Sequence, residues 1–150
     1  MIYAIGYQKL TLQELLAVME KKAIELLVDI RSVPLSRNPQ FNRRSLERAL
    51  QNRYLWKGDV LGGKWGPASE AGLLFLIKED RTARLLIMCM EFCPCDCHRL
   101  YDVSRRLLAK GVDVKHLYMG AELTTKEMEA KCDEQRRAKE PNYSFDFSKP

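Results

Sequence analysis

Residues 88–100 read MCMEFCPCDCHRL and bring four cysteines, a glutamate, a histidine and an arginine into one short stretch. These residue types serve as nucleophiles, general acids and bases, metal ligands and anion clamps. Cys89 and Glu91 are two apart, so in an extended segment they share a side. Glu91 is the candidate general acid or base, or the nucleophile of a glycosyl transfer. Cys97 and Cys89 are further candidates for a nucleophile. Asp96 has an N-cap side chain, which would put Cys97, His98 and Arg99 in the first turn of a helix. The dipole there favours a thiolate and opposes basic side chains. Exposed amides at such an end attract anions, so an anionic ligand flanked by His98 and Arg99 would reconcile the two. The structural alternatives are an ion pair from Glu91 to Arg99 or Arg31, and a small buried hydrophobe at Cys89.

The cysteine spacing argues against a metal. Cys93, Cys95 and Cys97 alternate with Pro94 and Asp96, and Cys89 lies four residues before Cys93. Zinc sites usually take a C-x2–4-C pair plus a second pair from elsewhere, and the only distant donors of this kind are His116 and Cys132. A C-x-C-x-C run is cramped for one tetrahedral ion. No metal and no other cofactor is expected, with redox sensing a comparably weak alternative. Five cysteines, four of them crowded, make a poor disulfide framework. Free thiols or metal ligands in a reducing compartment fit better.

The elements that must position these residues follow from periodicity. Short apolar runs at 2–7, 24–32, 84–91 and 112–119 read as buried strands. Amphipathic stretches at 11–23, 44–53, 69–80, 97–111 and 124–139 read as helices. Two of these open with capping-box spacing, Thr11 with Glu14 and Thr124 with Glu127. Residues 33–44 carry two prolines and no periodicity, a long loop of the kind that often holds function. Residues 54–66 read as extended and then turn at Gly62-Gly63. Alternating strands and helices specify an α/β fold, a three-layer, Rossmann-like sandwich with a mainly parallel central sheet. It is read as a single domain over residues 1–140, followed by a C-terminal tail at 141–150. Right-handed crossovers would bring the strand C-termini to one edge, where open α/β sheets bind ligands. Gly6 and Tyr7, then Asp29, Arg31, Ser32 and Arg37, then Cys89 to Arg99 would meet there.

The composition, 46% apolar and 30% charged, is that of an ordinary globular protein. No apolar run approaches the ~18 residues that span a bilayer, and the N-terminus lacks the pattern of a secretory signal. A cytoplasmic location and no membrane partner are expected; the oligomeric state is not legible. The net charge of +5 suits an anionic partner, a nucleotide or nucleic acid included. Arg43 and Arg44 could add phosphate contacts. Trp56, Trp65 and Phe41 could stack on bases.

VDIRSVPLSRNPQFN (28–42) resembles the signature of the domain-of-unknown-function family 488. IYAIGY (2–7), LGG (61–63) and CMEFCPCDCHR (89–99) resemble three further motifs of that family, in the same order. The resemblance implies an α/β fold with a polar site and supplies no settled activity. Two departures stand out: Tyr7 occupies a position where the family has histidine, and Cys93 and Cys95 lie outside its pattern.

The resulting reading is an enzyme, a hydrolase or transferase, acting on a phosphate-bearing substrate related to nucleotides or nucleic acids. Arg31, Arg37 and Arg99 would hold the anion, with Ser32, His98, Gly6 and Tyr7 around it. Asp29 would orient Arg31 or a substrate hydroxyl. One alternative is a nucleic-acid-binding module without catalysis. A second is a thiol or zinc regulatory protein.

Overall fold

The computed structural model describes residues 1–140. Its centre is a six-stranded sheet made of β1 (Ile2–Gly6), β2 (Leu26–Asp29), β3 (Tyr54–Trp56), β4 (Leu85–Cys89), β5 (Val114–Tyr118) and β6 (Ala121–Leu123). The strand order is β3-β2-β4-β1-β5-β6. The first five strands are parallel, and β6 returns antiparallel against β5. β1 and β4 are buried along their whole length, which is why their sequences are continuous apolar runs rather than alternations.

Six α-helices cover the sheet: α1 (Leu12–Lys21), α2 (Arg43–Leu50), α3 (Gly58–Leu61), α4 (Glu70–Asp80), α5 (Arg105–Ala109) and α6 (Thr125–Lys139). Leu15 and Met19 of α1 and Leu46 and Leu50 of α2 pack with Tyr3, Ile5, Leu27, Leu86 and Met88 on one face. Leu61, Leu73, Leu76 and Leu107 of α3, α4 and α5 pack with Ile2, Ala4, Val28, Leu85 and Ile87 on the other. The alternating residues of each strand thus feed two separate cores, as the three-layer α/β sandwich read from the sequence requires. Both expected capping boxes form, at Thr11 and Thr124.

Four local features differ from the sequence reading. The segment at 54–66 is extended only as far as Trp56 and then forms the short α3. The strand at 112–119 continues through a turn at Met119-Gly120, with positive φ at both, into β6. Asp96 is not a helix N-cap: it closes a 3-10 turn over Pro94–Asp96. The helix then begins at Arg99 as a π-type stretch, Arg99–Ser104, before α5. Wide turns of this kind occur often at functional sites.

The absence of a disulfide is corrected as well. Cys95 and Cys132 are bonded, joining the 94–96 turn to α6, while Cys89, Cys93 and Cys97 stay free. Cys132 sits on the apolar face of α6 beside Met128, and packing of that face against Leu100 and Tyr118 delivers it to the cysteine loop. The proposed tail at 141–150 lies outside the described residues.

Candidate active site

The carboxyl ends of β1, β2 and β4 are adjacent, with Gly6 opposite Cys89 and Asp29 opposite Met88. Each chain segment that leaves these ends contributes to one cavity of about 430 Å³. Tyr7 comes from β1, Arg31 and Ser32 from β2, and Cys89 and Glu91 from β4. Asp96 and His98 from the cysteine loop, with Gly63 and Lys64 from the turn after α3, extend the wall, and Val33, Leu35 and Met90 add apolar surface to it. The close approach of the segments depends on Gly6. A Cβ there would lie 1.7 Å from the Glu91 carbonyl oxygen, so no side chain fits without parting β1 from the cysteine loop.

Arg31 and Asp29 form the floor. The Asp29 carboxylate is fully buried and accepts from the Arg31 backbone N–H at 3.1 Å, Nε at 2.9 Å and Nη2 at 2.7 Å. The Tyr54 hydroxyl donates to it at 2.5 Å. With four donors on its two oxygens, Asp29 has no lone pair directed into the cavity, and its place is behind Arg31. Arg31 Nη2 also donates to the Phe41 carbonyl at 2.7 Å, and Nη1 donates to the Tyr7 hydroxyl at 3.1 Å. Of the five guanidinium N–H groups, one on Nη1 has no partner among the described residues, and Arg31 borders the cavity. Burial opposes the charge of Arg31, but Asp29 outweighs it and holds the guanidinium firmly protonated. The Tyr7 ring stacks on Phe41 at 4.4 Å between centroids, which fixes its hydroxyl in front of Arg31.

The opposite wall carries sulfur and imidazole. Cys89 Sγ donates to Glu91 Oε2 at 3.4 Å. His98 Nδ1 lies 3.9 Å from Cys89 Sγ and 3.8 Å from Cys97 Sγ. His98 Nε2 is 3.0 Å from the Leu61 carbonyl oxygen. A carbonyl only accepts, so Nε2 carries the proton of the neutral ring and Nδ1 presents a lone pair to the two sulfurs. The neighbouring Cys89 thiol, aided by His98 and the Arg99 charge, pulls the Cys97 thiol down against the effect of burial. Cys89, beside Cys97 and buried, moves up. Burial works against a charge on His98, but its bond to Cys97 and the charge there raise it overall. Cys97 is 2% exposed and does not border the cavity, so its sulfur has no open approach to a ligand held there.

Two arginines expected at the anion are elsewhere. Arg99 is fully buried and donates from Nη1 to the Glu91 carbonyl at 2.7 Å and from Nη2 to the Phe92 carbonyl at 3.2 Å. Its guanidinium shapes the turn after β4 instead of facing the cavity. Arg37 is exposed on the 33–44 loop and does not line the wall. The structure therefore brings Tyr7, Arg31, Ser32, Cys89, Glu91 and His98 around one space and sets Asp29, Cys97, Arg99 and Gly6 immediately behind it. Sequence reasoning missed Lys64 and the supporting Tyr54, which sit in no pattern that announces chemistry, and the Leu61 carbonyl, a backbone group that any residue type there would supply.

The fold and this edge define an α/β protein with a carboxylate, a guanidinium and a thiol–imidazole cluster around a cavity at the carboxyl end of its parallel strands. Residues 11–71 match the model of the family described as domain of unknown function DUF488, so the family resemblance holds over that segment. The segment includes Asp29, Arg31, Ser32, Arg37 and Gly63, while Gly6, Tyr7 and the whole cysteine loop lie outside it. No curated protein and no solved structure matches the chain. No helix among the described residues is long and apolar enough to cross a membrane.

Proposed function

We propose that this protein is an enzyme, a hydrolase or transferase, acting on a phosphate-bearing substrate related to nucleotides or nucleic acids. The observation that carries the reading is the pairing across one cavity of the Glu91 carboxylate with the unspent Arg31 N–H and the Tyr7 hydroxyl. Arg31 and Lys64 supply positive charge for a phosphate, and Ser32 borders the same space. Glu91 acts as general acid or base, a role that contributes about 10²- to 10⁴-fold in rate. Asp29 is a positioning residue, because it reaches the substrate only through Arg31. Neither Cys97 nor Arg99 touches substrate in this reading, since neither opens onto the cavity.

The test is turnover of nucleoside phosphates and short oligonucleotides by the wild-type chain and by Glu91→Gln. The expected result is a rate loss of about 10²-fold or more in the variant, with substrate affinity retained. Binding that weakens steeply with salt but never leads to turnover would overturn the catalytic reading in favour of a nucleic-acid-binding module.

A further inference from the structure

We infer that Cys89 Sγ, Cys97 Sγ and His98 Nδ1 are the ligands of a single zinc ion whose fourth coordination position opens onto the cavity beside Glu91. The three donor atoms lie within 4.8 Å of one another. His98 Nδ1 is nearly equidistant from the two sulfurs, at 3.8 and 3.9 Å. In a tetrahedral site with Zn–S of about 2.3 Å and Zn–N of about 2.0–2.1 Å, sulfur and nitrogen stand about 3.6 Å apart. The two sulfur–nitrogen edges need to contract by only a few tenths of an ångström to close on an ion. A lone thiol-to-imidazole hydrogen bond would bring one sulfur close and leave the other free; it does not explain the symmetry.

The surroundings fit a metal as well as the ligands do. Ligating histidines characteristically donate their other N–H to a carbonyl or carboxylate, which fixes tautomer and ring orientation. The Leu61 carbonyl accepts from Nε2 in that way. Gly63 lies against the ring, where a Cβ would come within 2.8 Å of His98 Cγ. Two thiolates balance the ion's double charge, and a soft Cys₂His set selects zinc over magnesium or calcium. Cys89 and His98 border the cavity while Cys97 lies behind them, so the vacant side of the tetrahedron faces Glu91 and the space in front of it. Three protein ligands and one open position are the arrangement of catalytic zinc. A water held there has its pKa lowered to about 7. It would pass a proton to the Glu91 carboxylate and leave a hydroxide on the ion.

The crowded spacing of Cys93, Cys95 and Cys97 hides this set, because the ligands skip the two middle cysteines. Cys95 is bonded to Cys132, and Cys93 Sγ contacts Gln135 on α6. The inference rests on the proposed cavity only for the direction of the open position.

The test is metal analysis of the full chain purified without chelator or added metal, followed by titration of the apoprotein with Zn²⁺ alone. About one zinc per chain is expected, as for other mononuclear sites. Cys89→Ser and Cys97→Ser should each weaken Zn²⁺ binding at least about 100-fold, since even outer-shell changes at such sites cost 10- to 100-fold. Cys93→Ser should bind as the wild type does. Co²⁺ substitution provides a second readout on folded protein: thiolate-to-metal charge-transfer absorption should be present in wild type and Cys93→Ser and diminished in Cys97→Ser. Absence of zinc together with no Zn²⁺ uptake overturns the inference, as does binding that survives loss of both Cys89 and Cys97. Metal binding is read with no substrate present, so a failed turnover assay and a failed zinc assay point to different errors.

Discussion

Asp29 holds Arg31 at three points, through the backbone N–H, Nε and Nη2, inside a region where the carboxylate is wholly buried. An ion pair this deep contributes less through its attraction than through what happens when half of it is removed. The intact pair leaves one guanidinium N–H without a partner among the described residues and fixes the 33–44 loop through the Phe41 carbonyl.

Asp29→Asn should therefore destabilise the protein by about 3–5 kcal/mol, the usual cost of stranding a buried charge. Urea denaturation at neutral pH checks this. A change below about 1 kcal/mol, typical of exposed pairs, would mean that water reaches Arg31.

Gly63→Ala should act on the imidazole and spare the fold. The added Cβ meets the His98 ring at 2.8 Å, while Gly63 itself is exposed and has no positive φ to lose. The expected outcome is Zn²⁺ affinity reduced about 10- to 100-fold, as for other disturbed outer-shell contacts, with a thermal midpoint close to wild type. His98 ring resonances followed by NMR should shift in the same variant. Unchanged ring resonances and Zn²⁺ affinity would show that the turn yields before the ring does.

His116 gives the protein an acid limb. It is fully buried on β5, and neither ring nitrogen has a hydrogen-bond partner among the described residues. Burial, with the nearby Arg99 charge, lowers its pKa from 6.5 to about 4. The unfolded chain then binds the extra proton first as pH falls. Stability should be constant above about pH 6.5 and decline towards pH 4, by about 3 kcal/mol in all at 1.36 kcal/mol per unit. His116→Leu should flatten this limb without loss of stability at pH 7, since it removes two unpaired buried polar atoms. Denaturation midpoints across that pH range decide the matter; an equally steep limb in the variant would assign it to other groups.

The Cys95–Cys132 bridge closes a sequence separation of 37 residues. Chain-entropy reasoning assigns such a loop about 4 kcal/mol. Cys132→Ser, or reductant added to the wild type, should lower the melting temperature by a matching amount. The two treatments should not be additive. Equal melting curves with and without reductant would show that the bond contributes nothing in solution.

How far the sequence carries can be judged residue by residue. The sheet was legible because β1 and β4 are unbroken apolar runs and β2 is one up to Asp29, and the helices because Leu15, Met19, Leu46 and Leu50 recur at helical spacing. The meeting of Tyr7, Arg31 and Glu91 followed from strand polarity alone. Side-chain direction did not. Arg99 looked like an anion clamp from its place after Asp96, but the π-type start of its helix turns it inward onto the Glu91 and Phe92 carbonyls. Cys132 gave no local sign of its partner because their contact exists only once α6 packs on Leu100 and Tyr118. The cysteine spacing masked the Cys89–Cys97–His98 grouping, since pattern matching counts neighbours along the chain and coordination counts neighbours in space.

The place of β1 in the sheet bears on how the molecule assembles. Ile2 pairs with Leu85 on one side and with Val114 on the other. Both partners are remote in the chain, so the middle strand waits with two open edges until distant segments arrive. Nonlocal pairing of this kind slows folding and leaves β-prone backbone available to other chains meanwhile. Wherever this chain is made in quantity, its hazard is the interval before the sheet closes.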